Sequence, residues 1–390
     1  MTSLQVPRGE PAYSLAPAAA TVVEEFFARH APPESNDGAD APALIPDSSA
    51  VAAMVDAVFW TSLRREEGRS PRLSIAFVPR DLAGWPLTFE RPLALHPDAL
   101  ASLAPAVERP GIHLGVWREG NELRVWGSAR TLPEHCFVVE VVEPGLIVLK
   151  YRRGADIGKF GNMAVLRSDQ LHVVNEHDAY EAGCTTPLAG LFVALLDLEA
   201  TPETRDAGSV LVKLSVSMRA HGRGGALLVV PSDTHAWRES IVQPVSFAIA
   251  PPFGRLADLL RLPPDDRGRA GGRDGVGRLV DAVAGLTGVD GVVVIDERYE
   301  VLAFGAKIGR RDGHSAVDQV LVVEPVAGDV PALRSPVQIG GTRHLSAAQF
   351  IHDQRDALAL VASQDGRFTA FAWSAAKRMV VAHRIETLLF

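Results

Sequence analysis

Apolar positions along the chain follow two different spacings. Near the N-terminus they recur every three or four residues. Val22, Val23, Phe26 and Phe27 form one such stripe and predict a helix over residues 17–30, with Pro17 near its start. Val51, Met54, Val55, Val58 and Phe59 form a second, over residues 49–65, closed by a charge run and Gly68. Between the two helices, residues 31–48 are rich in Pro, Asp and Ala and read as a linker. Further on, the pattern changes to short apolar runs parted by turn residues. Residues 73–78 predict a strand, and His96-Pro97-Asp98 opens a helix through Val107. Runs 111–117 and 122–126 flank Arg118-Glu119-Gly120-Asn121, and runs 136–142 and 146–151 flank Glu143-Pro144-Gly145. These are two hairpin signals, and their spacing predicts one antiparallel meander from 111 to about 174.

The second half alternates helices and buried strands. Residues 187–196 and 209–220 read as helices. The turn His221-Gly222-Arg223-Gly224-Gly225 then leads into an apolar strand over 226–231. A helix over 276–286 followed by a strand over 290–295 repeats that order, so an internal structural repeat is expected. A short helix over 253–262 and a Pro/Gly/Asp/Arg loop over 263–275 precede it. Strands are expected over 299–307, 319–324, 336–339 and 357–363, with an exposed insertion at 310–315. A helical stretch covers 346–352, and strands or a strand and a helix close the chain over 368–373 and 379–384. The expected class is α/β (α+β), with a C-terminal mixed sheet flanked by helices and a β-rich α+β region before it. The implied division is 1–48, 49–176, 177–252 and 253–390.

Composition narrows the class of protein. Of 390 residues, 47% are hydrophobic and 22% charged, so a large core is expected rather than disorder. The formal charge of −8 argues against a binder of duplex nucleic acid held by phosphate contacts. Two cysteines, Cys136 and Cys184, provide neither a disulfide framework nor a thiolate zinc site. The first residues lack the apolar core of a signal peptide, and no apolar stretch reaches membrane-spanning length. A cytoplasmic protein with no membrane partner is expected.

Candidate chemistry gathers at Gly340-Gly341-Thr342-Arg343-His344. A glycine turn running into a helix exposes backbone N–H groups at the positive end of the helix dipole. Arg343 would either grip a phosphate through its planar fork or pair locally. The turn at 221–225 is either a packing turn or a ligand-facing one. His221 reads as a hydrogen-bonded structural histidine, and His235 and Trp237 follow a strand where ligands gather in open sheets. Basic residues at 152–154 and 158–161 sit near turns and read as exposed charge.

Taken in order, these segments resemble a known family. A helix is followed by Asp290-Gly291-Val292, then Gly341-Thr342-Arg343-His344-Leu345, then a strand ending in Ser363-Gln364-Asp365-Gly366. Residues 253–390 thereby resemble the diadenylate cyclase (DAC) domain, which condenses two ATP into cyclic di-AMP. Its signatures are Asp-Gly-Ala, Gly-Thr-Arg-His-Arg and Ser-Glu-Glu-x-Gly. Val292, Leu345 and Gln364 depart from them. The whole chain is most similar to the DACNV group of probable sensor domains.

The resemblance implies roles for particular residues. Asp290 would bind a metal, Mg²⁺ or Mn²⁺, and activate a 3′-hydroxyl if the chain is active. Gly341, Thr342, Arg343 and His344 would contact phosphate. Gly291, Phe304, Gly305, Ser363 and Gln364 would complete a nucleotide site. Gln364 replaces a metal-associated carboxylate with a poorer ligand, and Leu345 removes a cation, so catalysis is weakened more than recognition. No cofactor is required if the site only binds. The expected function is a nucleotide sensor for an adenine nucleotide or cyclic dinucleotide, acting through an effector protein and capable of forming a homo-oligomer. An active cyclase and a non-binding structural protein are the alternatives.

Overall fold

The computed structural model describes residues 12–30, 45–65, 68–109, 111–152, 160–175, 185–196, 201–263, 266–267 and 275–390. Most of the linker over 31–48, the basic positions 153–159, Cys184 and most of the loop over 263–275 therefore lie outside the described residues. The chain divides into two compact units, Met1–Val174 with Phe390, and Asn175–Leu389. Each is an α+β unit built on one mixed sheet.

In the first unit the elements run α1 (Ala16–His30), α2 (Ser48–Ser62), β1 (Ser74–Phe77), β2 (Leu87–Ala94) and α3 (Pro97–Val107). Then come β3 (His113–Glu119), β4 (Glu122–Ala129), β5 (Phe137–Glu143), β6 (Leu146–Arg152), β7 (Phe160–Arg167) and β8 (Gln170–Val173). Asp47 starts α2 by accepting the N–H of Ala50 at 2.8 Å. The strand order is β2-β4-β3-β1-β5-β6-β7-β8. The meander expected from 111 to about 174 is interrupted. β1 inserts between the two hairpins, parallel to β3 and antiparallel to β5. Alternation along β1 explains the insertion: Ile75 and Phe77 pack in the cluster that holds Val23, Phe27, Met54 and Leu100 of the helices. Ala76 and Val78 pack with Trp126, Cys136 and Val138 in another. A strand buried on both faces belongs inside a sheet.

The second unit begins with α4 (Thr186–Leu196), α5 (Pro202–Ala220), β9 (Gly225–Val230), β10 (Phe247–Phe253), α6 (Arg255–Arg261) and α7 (Gly275–Leu286). It continues through β11 (Val292–Asp296), β12 (Val301–Ala306), β13 (Val320–Val323) and β14 (Ala332–Arg334). It closes with α8 (Pro336–Ile339), α9 (Thr342–Asp353), β15 (Leu358–Ala362), β16 (Phe368–Ser374) and β17 (Met379–Arg384). The sheet order is β10-β12-β11-β9-β15-β16-β17-β13-β14. Strands from 177–252 and from 253–390 thus share one sheet. β9 stands between β11, to which it is parallel, and β15, to which it is antiparallel. Leu227, Val229, Val293 and Ile295 pack with Leu191, Leu211, Leu214 and Val283 of the helices. Ala226, Leu228, Val292 and Val294 pack with Ala347, Phe350 and Ile351 of α9. Helices therefore cover both faces.

Two further differences from the expected elements have simple causes. Residues 336–339, expected as a strand, form the short helix α8. Pro336 occupies its first turn, and Ser335 and Gln338 close a capping box around it. β2 and β10, which the apolar pattern does not reveal, are edge strands containing Pro92 and Pro251-Pro252. Proline is tolerated there because an edge strand leaves N–H positions unpaired.

Candidate functional site

One end of the second sheet collects the predicted residues. β9 and β11 are parallel, so the turns entering them, 221–225 and 287–291, lie side by side. β15 runs antiparallel to β9, which brings its exit turn, Ser363 to Gly366, to the same end. β12 runs antiparallel to β11 and delivers Gly305 and Lys307 there as well. Topology thus assembles residues that the sequence scatters over 221–366.

The two helix–turn–strand units are joined at this end. Ser217 Oγ donates to Asp281 Oδ1 at 2.8 Å, linking α5 to α7. His221 Nδ1 accepts the Arg223 N–H at 3.2 Å, which leaves Nε2 as the donor to Thr287 Oγ1 at 3.0 Å. Burial and the neighbouring Arg223 push the His221 imidazole below its ordinary value, favouring this neutral form. His221 is therefore a structural tie between the units, as its residue type suggests.

Arg343 is the central group. It sits in the first turn of α9, half-buried, behind Gly341 at the N-cap. Among the described residues no side chain caps this helix start. The guanidinium has no hydrogen-bond or ion-pair partner among the described residues. It leans over the turn that enters β9: a Cβ on Gly224 would lie 3.3 Å from Arg343 Nη1, from Gln364 Cγ and from Ala362 O. Gln364 is exposed and donates to the Arg223 carbonyl at 3.3 Å. Ser363 holds the hairpin turn through backbone bonds: its N–H donates to Arg367 O at 2.9 Å, and its carbonyl accepts the Gly366 N–H at 3.3 Å. Thr342 and Leu345 face solvent.

His344 lies apart from this surface. Its ring is buried, 5.9 Å from Phe371 in edge contact and 3.5 Å from Thr369 Oγ1. It occupies the space where Gly340 would carry a side chain, since a Cβ there would collide with Nδ1. Burial, against a partly opposing Asp365, pushes the imidazole down to about 4. At neutral pH His344 is an uncharged packing group beneath the turn.

Asp290 is at the sheet end with a side chain 89% exposed, and its Oδ2 accepts from Lys307 Nζ at 2.5 Å. Lys307, by this bond and its charge, holds the carboxyl below its ordinary value, with Arg343 adding to the effect. Gly291 has φ +117°, and a Cβ there would lie 2.5 Å from the Gly305 carbonyl carbon. This close approach requires glycine at the start of β11. Phe304 stacks on Phe247 of the edge strand β10, with ring centroids 4.7 Å apart and planes at 10°. A Cβ on Gly305 would meet the Phe247 ring at 2.8 Å. Phe247 is 49% exposed.

Lys307 and Phe247 are residues of this surface that the sequence pattern misses. Lys307 ends a strand and looks like ordinary exposed charge, and Phe247 lies on a strand disguised by its prolines. Trp237, expected on the ligand side, is instead 2% exposed, beneath the Arg238 guanidinium at 5.0 Å. The arrangement at the sheet end offers a half-buried guanidinium, helix N–H groups, a carboxylate and an aromatic face. Those are the elements of a site for an anionic ligand with a planar ring.

Residues 40–130 match the family described as probable sensor domain DACNV. The match lies in the first unit and does not reach the residues gathered at the end of the second sheet. No curated protein matches the chain significantly. Among the described residues no helix is long and apolar enough to cross a membrane.

Proposed function

We propose that the second unit binds a purine nucleotide or cyclic dinucleotide without turning it over, and that the chain works as a nucleotide sensor. The observation that carries this reading is the Arg343 guanidinium over Gly224, which has no hydrogen-bond or ion-pair partner among the described residues. A half-buried arginine with no hydrogen-bonded or ion-paired carboxylate among the described residues is a ready anion receptor. Phosphate would lie against Arg343 and the open N–H groups of Thr342 and Arg343. The base would stack on the exposed face of Phe247. β9 and β10 are three strand positions apart in the sheet, roughly 14 Å at the usual strand spacing.

Loss of turnover is favoured by Asp290. In the cyclase resemblance this carboxylate holds the metal, but here Lys307 already neutralises it. A divalent ion would have to displace that ammonium, and Gln364 and Leu345 provide no second carboxylate or cation to help. The match of residues 40–130 to a probable sensor domain supports a signalling role for the chain. An effector protein and self-association belong to the same reading, as does a cytoplasmic setting where such nucleotides are made.

The test is one incubation of the full chain with ATP, and separately with cyclic di-AMP and cyclic di-GMP, each with Mg²⁺ or Mn²⁺. Melting temperature and reaction products are followed together. A sensor shows a ligand-dependent rise in melting temperature that Arg343→Ala removes, and no product. Cyclic di-AMP formation that Asp290→Asn abolishes would replace this reading with the cyclase. No shift with any of the ligands and no product would sink both.

A further inference from the structure

We propose that His314, His352 and Asp353 bind one divalent first-row transition-metal ion. This site is separate from the nucleotide surface and does not depend on it. His352 and Asp353 end α9, and His314 lies in the connection between β12 and β13. His314 Nδ1 and His352 Nδ1 each lie 3.1 Å from Asp353 Oδ1, and the three residues each offer one ligand atom within 4.8 Å of the others. Metal bonds of about 2.0–2.2 Å to imidazole nitrogen and carboxylate oxygen place neighbouring tetrahedral ligands roughly 3.3–3.5 Å apart. Two of the three spacings therefore need to open by only a few tenths of an ångström.

The surroundings fit an ion as well as the spacing does. The Asp353 side chain is fully buried, while those of His314 and His352 are 31% and 23% exposed. One side is thus open to a water or a further ligand. Asp353 Oδ2 is held by the Arg311 N–H at 3.0 Å and by Gln349 Nε2 at 3.1 Å. Such outer contacts orient a ligating carboxylate. The last turn of a helix favours positive charge, and two imidazoles with one carboxylate suit zinc, cobalt or nickel better than magnesium or calcium. Without an ion, one oxygen must accept from His314, His352 and Gln349 together. An ion at this point would shift both rings to the Nε2–H tautomer and release the crowding. It would also fasten the 308–317 segment to α9, the helix whose first turn carries Arg343. That segment already touches α9 where Val317 N–H meets Gln349 Oε1 at 2.9 Å.

The test uses the full chain without an affinity tag, titrated with Zn²⁺ against a chromophoric chelator and with Co²⁺ in the visible range. The expected result is one ion per chain, with the intense cobalt bands of a four-coordinate site. Cobalt should also quench Trp373, whose ring is 6.2 Å from that of His352, and Trp373→Phe should remove that part of the quenching. His314→Gln and His352→Gln should each weaken binding at least tenfold. His314 is on a partly exposed connection, so His314→Gln decides the matter if the helix variant fails to fold. No stoichiometric uptake, or equal uptake by a folded His314→Gln, would overturn the proposal.

Discussion

Lys307 Nζ and Asp290 Oδ2 are 2.5 Å apart, an ion pair standing where the cyclase resemblance would put a metal. The lysine is the chief cause of the low Asp290 carboxyl pKa. Lys307→Met should move that pKa upward, toward the ordinary aspartate value, as followed by carbon NMR of the carboxyl. An unchanged value would transfer the effect to Arg343 and the Gly291 N–H. The same variant should gain affinity for Mn²⁺, because the ion no longer competes with an ammonium.

Adjacent glycines should respond differently to a methyl group. At Gly340 a Cβ would collide with the His344 ring, whereas at Gly341 no atom of the described residues lies within 4 Å. Gly340→Ala is expected to destabilise the second unit by about 1–3 kcal/mol through overpacking. Gly341→Ala should cost under about 1 kcal/mol, the scale of an altered N-cap. Denaturant melts compare the two, and equal losses would contradict the placement of His344.

Acid should weaken the second unit before its carboxylates are protonated. Burial pushes His344 down to about 4 and, with help from Lys377, His383 down to about 3. In the unfolded chain both titrate at about 6.5. Below that pH the unfolded state holds more protons, so stability falls as pH drops from about 6.5 toward the folded values. Above about pH 7 the contribution is complete. His344→Gln should lower the slope by up to about 1.4 kcal/mol per pH unit. A slope unchanged by the substitution would mean that the ring is not buried as described.

Cys136 should be inert in the folded protein. Burial pushes its thiol up to about 12, against a smaller opposing effect of Arg152, and its Sγ lies 3.4 Å from the Phe77 carbonyl. In a Cys184→Ser background a thiol reagent should label nothing until denaturant is added. Rapid labelling of the native protein would contradict the burial.

Much of the fold is legible in the order of residues. Stripes at 3.6-residue spacing, such as that of Val51, Met54, Val55 and Val58, locate helices within a few residues. Unbroken apolar runs locate β9, β11 and β15 in the same way, because they signal burial on both faces. Strands β2 and β10 escape because an edge strand needs neither alternation nor a full set of N–H donors. α8 resembles a strand because four residues are too few to show a period.

The candidate site is legible in part. The glycine turns, Asp290 and Arg343 stand out by residue type and order. Phe247 and Lys307 carry no local signal, for an exposed aromatic or a lysine at a strand end is common on any surface. His344 belongs by motif to the phosphate contacts, yet it lies in the core beneath Gly340.

The sequence by itself determined the class of the longer helices and of the buried strands, the lack of cysteines for a disulfide framework and the residue types able to hold an anion, because these depend on local spacing and side-chain chemistry. Only the tertiary structure decided that β1 separates the first two hairpins and that residues 177–252 share a sheet with residues 253–390. It alone brought Gly224 under Arg343, Lys307 onto Asp290 and His314 to the end of α9. Those are pairings between residues 17 to 119 positions apart. They arise from parallel or antiparallel register and from which face of a strand finds a helix to cover it, and no periodicity within one segment encodes that choice.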